Sequence, residues 1–185
     1  MSNMRPSVLS KLVATGLLAG FCASVPAMAA KGQDATVDHD PQLCEAPASG
    51  RSYVRVSVSG FKDEEGNVRV QIYGPSKDDF LEKGKKLVRV DVKTEGDGQQ
   101  ICVPMPNPGR YTLVVMHDRN ENGKADFFSE GFGFSNNPKL NLSPPDADEV
   151  VFDAPAGVLD MSVDLKYIFG ADEEQMKKRR QLRRR

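Results

Sequence analysis

RYTLVVMHDRNENGKAD, residues 110–126, joins two patterns of opposite kind. Its first half is apolar on both alternating sides, with Tyr111, Leu113 and Val115 on one and Thr112, Val114 and Met116 on the other. Strand side chains point alternately to the two faces of a sheet, so a run that is apolar on both belongs in the middle of a fold, covered above and below. Its second half is acidic and amide-rich, which is the chemistry of a sharp bend. A central strand that runs out into such a bend holds the bend on a rigid support.

The neighbouring segments repeat a period of two. In SYVRVSVSG (52–60) Val54, Val56 and Val58 alternate with Arg55, Ser57 and Ser59. NVRVQIY (67–73) and LVRVDVK (87–93) do the same, each reading as a strand with one buried face. FKDEEGN (61–67) has hairpin chemistry, with Gly66 placed for a positive backbone angle. GPSKDDFLEKGKK (74–86) is a longer connection that predicts one helical turn, capped by Ser76 or Asp78 and pinned by Phe80 and Leu81. QQICVPM (99–105) is a short strand stopped by PNPG, and EVVFDA (149–154) and VLDMSVDLKYI (158–168) add two more. LSPPDADEV (142–150) reads as a loop stiffened by Pro144 and Pro145. About seven short strands separated by turns predict an all-β fold, an antiparallel immunoglobulin-like or transthyretin-like β-sandwich.

The ends have other compositions. Arg5 and Lys11 precede the apolar stretch LVATGLLAGF, which leads to VPAMAA, the pattern of a secretory signal peptide over 1–29 with cleavage after Ala29. The expected organisation is then a flexible lead-in over 30–50, a β-sandwich domain over 51–169 and a basic tail or short helix over 170–185. No second apolar run reaches spanning length, so no transmembrane segment is expected after cleavage. Cys22 falls in the export segment behind Phe21, where a lipid-accepting cysteine would want a small residue. Cys44 and Cys102 remain, and two cysteines in an exported chain read as one disulfide, contributing about 4 kcal/mol at most by loop entropy. The expected location is the periplasm, with an extracellular or outer-membrane-associated position as the other outcome of export.

The whole chain carries a formal net charge of -1, but seven of the last nine residues, KKRRQLRRR, are Lys or Arg. Such a tail attaches to anionic lipid or another polyanion, or is a solvated end, and it specifies no nucleic acid.

Counted from Asp118, the bend fits the first half of a calcium loop: Asp118, Asn120, Asn122, then Gly123 for the reversal, the carbonyl of Lys124, and Asp126. A hard cation needs six or more oxygens, and alternate residues of a tight curl can all turn theirs inward. The twelfth position is Ser129, with Glu130 one place late. The same residues also suit a plain hydrogen-bonded turn, and both readings stand. Calcium is the one cofactor in prospect. His117 borders the bend, yet no nucleophile elbow accompanies it, and too few His or free Cys are present for a transition-metal site. The chain therefore reads as a non-catalytic envelope binding or structural module with an unidentified envelope component as partner. The alternative is a hydrolase using His117 and Asp118. Beyond the bend, FFSEGFGFSNNP (127–138) is too glycine-rich to read as a strand. Phe132, Phe134 and Asn136 form an aromatic binding surface, or the Phe rings cover an open end of the core while Asn136 and Asn137 turn the chain.

HDRNENGKAD followed by EGFGFSNN, behind PGRYTLVVMHD and ahead of a VDLKY strand, resembles the domain of unknown function 2141 family of exported bacterial proteins. The resemblance spans Ser52 to Tyr167 and is most specific at His117–Asp126 and Gly133–Asn137. It implies export and a β-sandwich but assigns no activity. The chain departs from the family in lacking a Pro-containing segment between bend and aromatic box, and in its basic tail. The Pro-Gly-x-Tyr start of the central strand is also similar to transthyretin-like and carboxypeptidase regulatory-like domains, which are mostly accessory modules.

Overall fold

The computed structural model describes residues 36–141 and 143–167. The signal segment and the basic tail with its expected helix lie outside them. Nine strands and two short helices follow in the order β1 (Thr36–Val37), α1 (Gln42–Glu45), β2 (Ser52–Ser59), β3 (Asn67–Tyr73), β4 (Val88–Lys93), β5 (Gln99–Pro104), β6 (Gly109–Asp118), β7 (Gly131–Phe134), α2 (Ala147–Val150), β8 (Val151–Ala154) and β9 (Gly157–Asp164). The fold is all-β. One sheet has the order β1-β4-β3-β6-β7, with β8 also on β6, and the second has the order β5-β2-β9.

The valines read from the period of two form the core between the sheets. Val54, Val56 and Val58 of β2 meet Val68, Val70 and Ile72 of β3 and Leu113 and Val115 of β6, all fully buried. Each such side chain contributes about 1.5–3 kcal/mol by leaving water. β6 is central, as its two apolar faces require. It pairs with β3 along its length, and its other edge is shared by β8 at Gly109–Thr112 and β7 at Val114–His117.

The expectation of a purely antiparallel sandwich is corrected. β9 runs parallel to β2 through eight residues, and β1 is parallel to β4. Parallel neighbours need a long crossover, and the whole passage from β3 to β8 provides one for β2 and β9. Four local expectations change as well. GFGF is a strand, β7. DADEV contains α2, opened by a capping box in which Asp146 and Glu149 bond each other's backbone N–H. SKDDFLEKG makes the one helical turn expected, the Phe80 N–H donating to the Ser76 carbonyl at 3.0 Å with Phe80 buried, but the Ser76 hydroxyl donates to Asp79 and Leu81, at φ 61, is partly exposed rather than pinned to the core. Residues 36–46, read as part of a loose lead-in, lie on the body through β1, α1 and the Cys44–Cys102 disulfide, whose Cα atoms are 5.8 Å apart. His39 adds to this by accepting the Cys102 N–H at 3.1 Å.

β7 shows why its glycines are there. Gly131 and Gly133 face inward, where a Cβ on Gly133 would lie 2.5 Å from Val163 of the opposite sheet and one on Gly131 would lie 2.5 Å from the Tyr167 ring. Phe132 and Phe134 face outward. They join Tyr73, Phe80, Val114 and Met116 in a second apolar cluster on the outer face of the larger sheet, so they do not cover an end of the main core. Beyond β9, Lys166 bridges Phe132 with two backbone hydrogen bonds of 2.8 and 2.9 Å, which ties the sheets together along one side.

Candidate functional site

Asp118 ends β6 on its outer side, in the same row as Val114 and Met116, and is almost wholly buried. One of its oxygens, Oδ2, accepts the Gly123 N–H at 2.9 Å, closing the bend on itself, and accepts Arg69 Nη2 at 3.2 Å. Arg69 comes from β3, two strand positions along from Gln71, which pairs with Val114. Its Nη1 donates to the Gly123 carbonyl at 2.9 Å and its Nε to Asp91 of β4 at 2.7 Å. Asp91 in turn accepts from Arg89 at 2.7 Å. The guanidinium is thus a buried positive charge set against the first residue of the bend, and its five fixed donors suit that crosslinking better than a lysine would.

The remaining bend residues arrange themselves locally. Asn120 Oδ1 accepts the Asn122 N–H at 2.9 Å and Asn122 Oδ1 accepts the Lys124 N–H at 2.7 Å, two Asx turns in succession. Gly123 takes φ 73, the left-handed angle that the reversal demands. Asp126 accepts from the Phe128 N–H and the Ser129 hydroxyl at 3.0 and 2.9 Å. Glu130 folds back toward the bend, and its Oε2 accepts the Asp126 N–H at 2.8 Å. Burial raises the Glu130 carboxyl above its ordinary range. The Asp126 N–H opposes that rise, while the nearby charges of Asp118 and Asp126 add to it.

Two oxygens in this network, Asp118 Oδ1 and Glu130 Oε1, are buried without a hydrogen-bond partner among the described residues. Buried carboxylate oxygens left in that state favour a hydrogen-bond donor or a cation beside them. Against them stands the arrangement of the other expected ligands. The Asn120 and Asn122 side chains are exposed and turned to their own backbone, and no three His, Cys, Asp or Glu side chains among the described residues gather closely enough to hold a metal by themselves. A cation here would rest on Asp118 and Glu130, with bend carbonyls and water completing its shell.

His117 points the other way. Successive strand residues face opposite sides of a sheet, so the ring lies inside, fully buried, and the structure does not bring it together with the Asp118 carboxylate. Its Nε2 lies 2.6 Å from the Glu65 carbonyl, which can only accept, so that nitrogen carries the proton. Its Nδ1 then accepts the Tyr167 hydroxyl at 2.6 Å, while the phenolic oxygen also takes the Lys62 N–H at 3.0 Å. Burial depresses the imidazole below 6.5 and pushes the Tyr167 phenol up to about 12. Beside them, Asp63 is held by the Arg119 guanidinium. Burial alone would raise the Asp63 carboxyl, but Arg119 and the Glu65 N–H outweigh it and lower it. Both nitrogens of His117 are committed to holding the 61–66 turn and the end of the described chain together.

The aromatic box is also a junction. The Ser135 hydroxyl bonds the Val150 carbonyl and receives the Leu113 N–H. Asn136, at φ 63, donates to the carbonyls of Glu149 and Val151 at 3.1 and 2.9 Å. Asn137 donates to Ser162 and accepts from the Asp164 N–H, both at 2.9 Å. Three strands and a helix are therefore fastened at one box. Arg69 was not recognisable from sequence as a site residue. Alternation in VRV marks it as facing opposite to the core valines, but its meeting with Asp118 depends on the register between β3 and β6.

Comparison with known proteins places this geometry in a family. A family model described as "Uncharacterized protein conserved in bacteria (DUF2141)" matches residues 56–161. No curated protein matches the chain. A solved structure of a candidate adhesin from Bacteroides ovatus ATCC 8483 is similar at 14% identity with a TM-score of 0.30, covering 66% of this chain and 46% of its own. The chain thus spans less than half of that protein, and a likeness so slight carries no argument. The family match takes in more than half of the sequence and both of its distinctive stretches, the bend at His117–Asp126 and the junction at Gly133–Asn137, and on that ground the chain belongs to the family of uncharacterized proteins conserved in bacteria, domain of unknown function 2141.

Proposed function

We propose that this protein is an exported, non-catalytic binding or structural module of the bacterial cell envelope, on an accessory scaffold of the immunoglobulin-like or transthyretin-like kind. The observation that supports a non-catalytic reading is the division of His117 and Asp118 between the two faces of β6, each locked by its own partners. A hydrolase would need them to converge on one substrate. The Cys44–Cys102 bond supports export, since such bonds persist in oxidising compartments. The unidentified partner is an envelope component, and the basic tail would add salt-sensitive attachment to anionic lipid. Osmotic-shock fractionation with non-reducing electrophoresis tests the reading. The protein is expected in the shock fluid or membrane fraction with its thiols blocked, and a cytoplasmic, fully reduced protein would overturn it.

A second reading is favoured by Asp118 Oδ1 and Glu130 Oε1: the bend takes calcium between these two carboxylates. Calcium should then raise the melting midpoint, by about 2.7 kcal/mol of stability at a hundred times Kd, and Asp118→Asn should abolish the gain. Glu130→Gln separates ion from proton. It should raise the midpoint in chelator by removing a buried charge, yet lose the response to calcium. A wild-type melt unchanged between calcium and chelator would rule the ion out.

A further inference from the structure

The chain contains one Asn-Gly step, Asn122–Gly123, and both residues lie on the exposed part of the bend. Asparagine is thermolabile, and before glycine it carries a reaction that needs no second molecule to start. The covalent chain keeps its side-chain amide carbon close to the next main-chain nitrogen, and glycine has no Cβ to obstruct the approach. What restrains those two groups then decides whether the reaction runs, and here each is restrained. The Gly123 N–H, which must be freed and deprotonated before its nitrogen can attack, is donated to Asp118 Oδ2 at 2.9 Å. The Asn122 side-chain oxygen accepts the Lys124 N–H at 2.7 Å, and the Asn122 N–H is donated to Asn120 Oδ1 at 2.9 Å. The Gly123 carbonyl takes Arg69 Nη1 at 2.9 Å. Asp118 and Arg69 are buried, whereas Asn122 and Gly123 are exposed, so the lock is anchored in the sheet and what it locks faces water.

We propose that Asn122 is a site of self-modification, deamidation to aspartate and isoaspartate, and that the bond from the Gly123 N–H to Asp118 sets its rate. When the bend opens, the Gly123 nitrogen gives its proton to solvent and bonds to Asn122 Cγ. The Cγ–Nδ2 bond breaks, and the amide leaves as ammonia, taking up one proton in place of the one given away. A succinimide ring remains, and water adds to one of its two carbonyls. Breaking the bond between Gly123 N and Cγ yields aspartate, whereas breaking the bond to the Asn122 main-chain carbon yields isoaspartate. Amide and water become acid and ammonia, with no change of oxidation state. The product does not restore the bend. Isoaspartate carries the main chain through the side-chain carbon, which moves the Gly123 N–H off Asp118 and its carbonyl off Arg69. Either product also adds a negative charge to a bend that already carries Asp118 and Asp126. A passing opening is thereby made permanent. The inference does not depend on calcium, because the lock on Gly123 is made by the chain's own groups.

The test incubates the chain as exported in chelator at mildly alkaline pH, native and unfolded in guanidinium chloride. Peptide mass spectrometry follows the amide-to-acid mass gain at Asn122, and chromatography separates the aspartate and isoaspartate peptides. The unfolded chain should react at Asn122 before its other asparagines, and the native chain should be slower by roughly tenfold or more. Attack needs the same N–H that exchanges with solvent, so this slowing should equal or exceed the hydrogen-exchange protection of Gly123. Asn120→Ala removes a surface acceptor from Asn122 and should speed the native reaction severalfold. Asp118→Asn replaces the charged acceptor of the Gly123 N–H by a weaker neutral one and should speed it further. If Asp118→Asn fails to fold, Asn120→Ala decides alone. No reaction at Asn122 in the unfolded chain, equal native and unfolded rates, or variants as slow as the unaltered chain would each overturn the proposal. So would a native chain faster than the unfolded one, which would make Asp118 a base for the attack and not its restraint. Unchanged exchange protection of Gly123 in the isoaspartate product would overturn the lasting opening.

Discussion

His117 and Arg69 show how far a single residue's role depends on what its strand places beside it. His117 borders a polar bend in the sequence and invites a catalytic reading, but alternation turns it inward, where a carbonyl and a phenol occupy both nitrogens. Alternation is legible and could have assigned the ring to the interior; the partners could not be read, since Glu65 and Tyr167 lie far off in the chain. Its stability consequence has a definite sign. Burial depresses the imidazole, so the unfolded chain takes up a proton more readily than the folded one between the folded value and 6.5. The contribution is whole above 6.5 and is lost as pH falls through the folded value, with a slope of at most about 1.4 kcal/mol per pH unit. Glu130 acts oppositely, because its raised carboxyl favours the fold as pH falls toward 4.5. Melts from pH 7.5 to 5 should therefore show a fall that His117→Gln flattens and Glu130→Gln steepens. Equal slopes in all three proteins would remove the buried imidazole from the account.

Among the elements, β2, β3, β4 and β6 were legible because valines at every second position leave no other reading, and β6 stood out as central by being apolar on both sides. β7 was not legible, since glycine lowers strand propensity on its own. Yet Gly-Phe-Gly-Phe has the same period of two, with the small residue where the second sheet and Tyr167 come close and the large one in the outer apolar cluster. Gly133→Ala should consequently cost about 1–3 kcal/mol, because the Val163 side chain and the Asp164 carbonyl must move. Urea denaturation measures it, and an unchanged midpoint would mean the sheets are looser at this point than described. α2 was hidden by the prolines before it, though Asp146 and Glu149 are a capping box that the sequence does carry. The parallel course of β9 beside β2 has no local signal, for it depends on the path of everything between them.

At the scale of the whole molecule, the two cysteines were readable as a pair from count and compartment, and they close a separation of 58 residues. What the pairing fastens was not readable. It holds α1 against β5, and with it a segment that composition describes as a loose lead-in. Replacing both cysteines by serine should lower stability by about 2–4 kcal/mol, measured by denaturant titration against the oxidised protein. A loss much smaller than this would show that β1, α1 and His39 dock without the bond. The bend illustrates the limit of motif reading at the same scale. Its spacing matched a calcium loop, but what surrounds it, a guanidinium from β3 and a carboxylate folded back from Glu130, is set by tertiary structure.

The segment fastened by Cys44 lies along two sheet margins at once: β1 extends the larger sheet beyond β4, and His39 occupies the Cys102 amide on the outer side of β5. Unpaired margins of this kind are templates on which other chains add, the starting point of amyloid and of swapped oligomers. Reduction of one bond would uncover both templates together while the valine core behind them was still intact. Self-association of the reduced chain should accordingly set in below its unfolding transition, and the oxidised chain should be protected by a clasp that costs it only the ordering of a few polar residues.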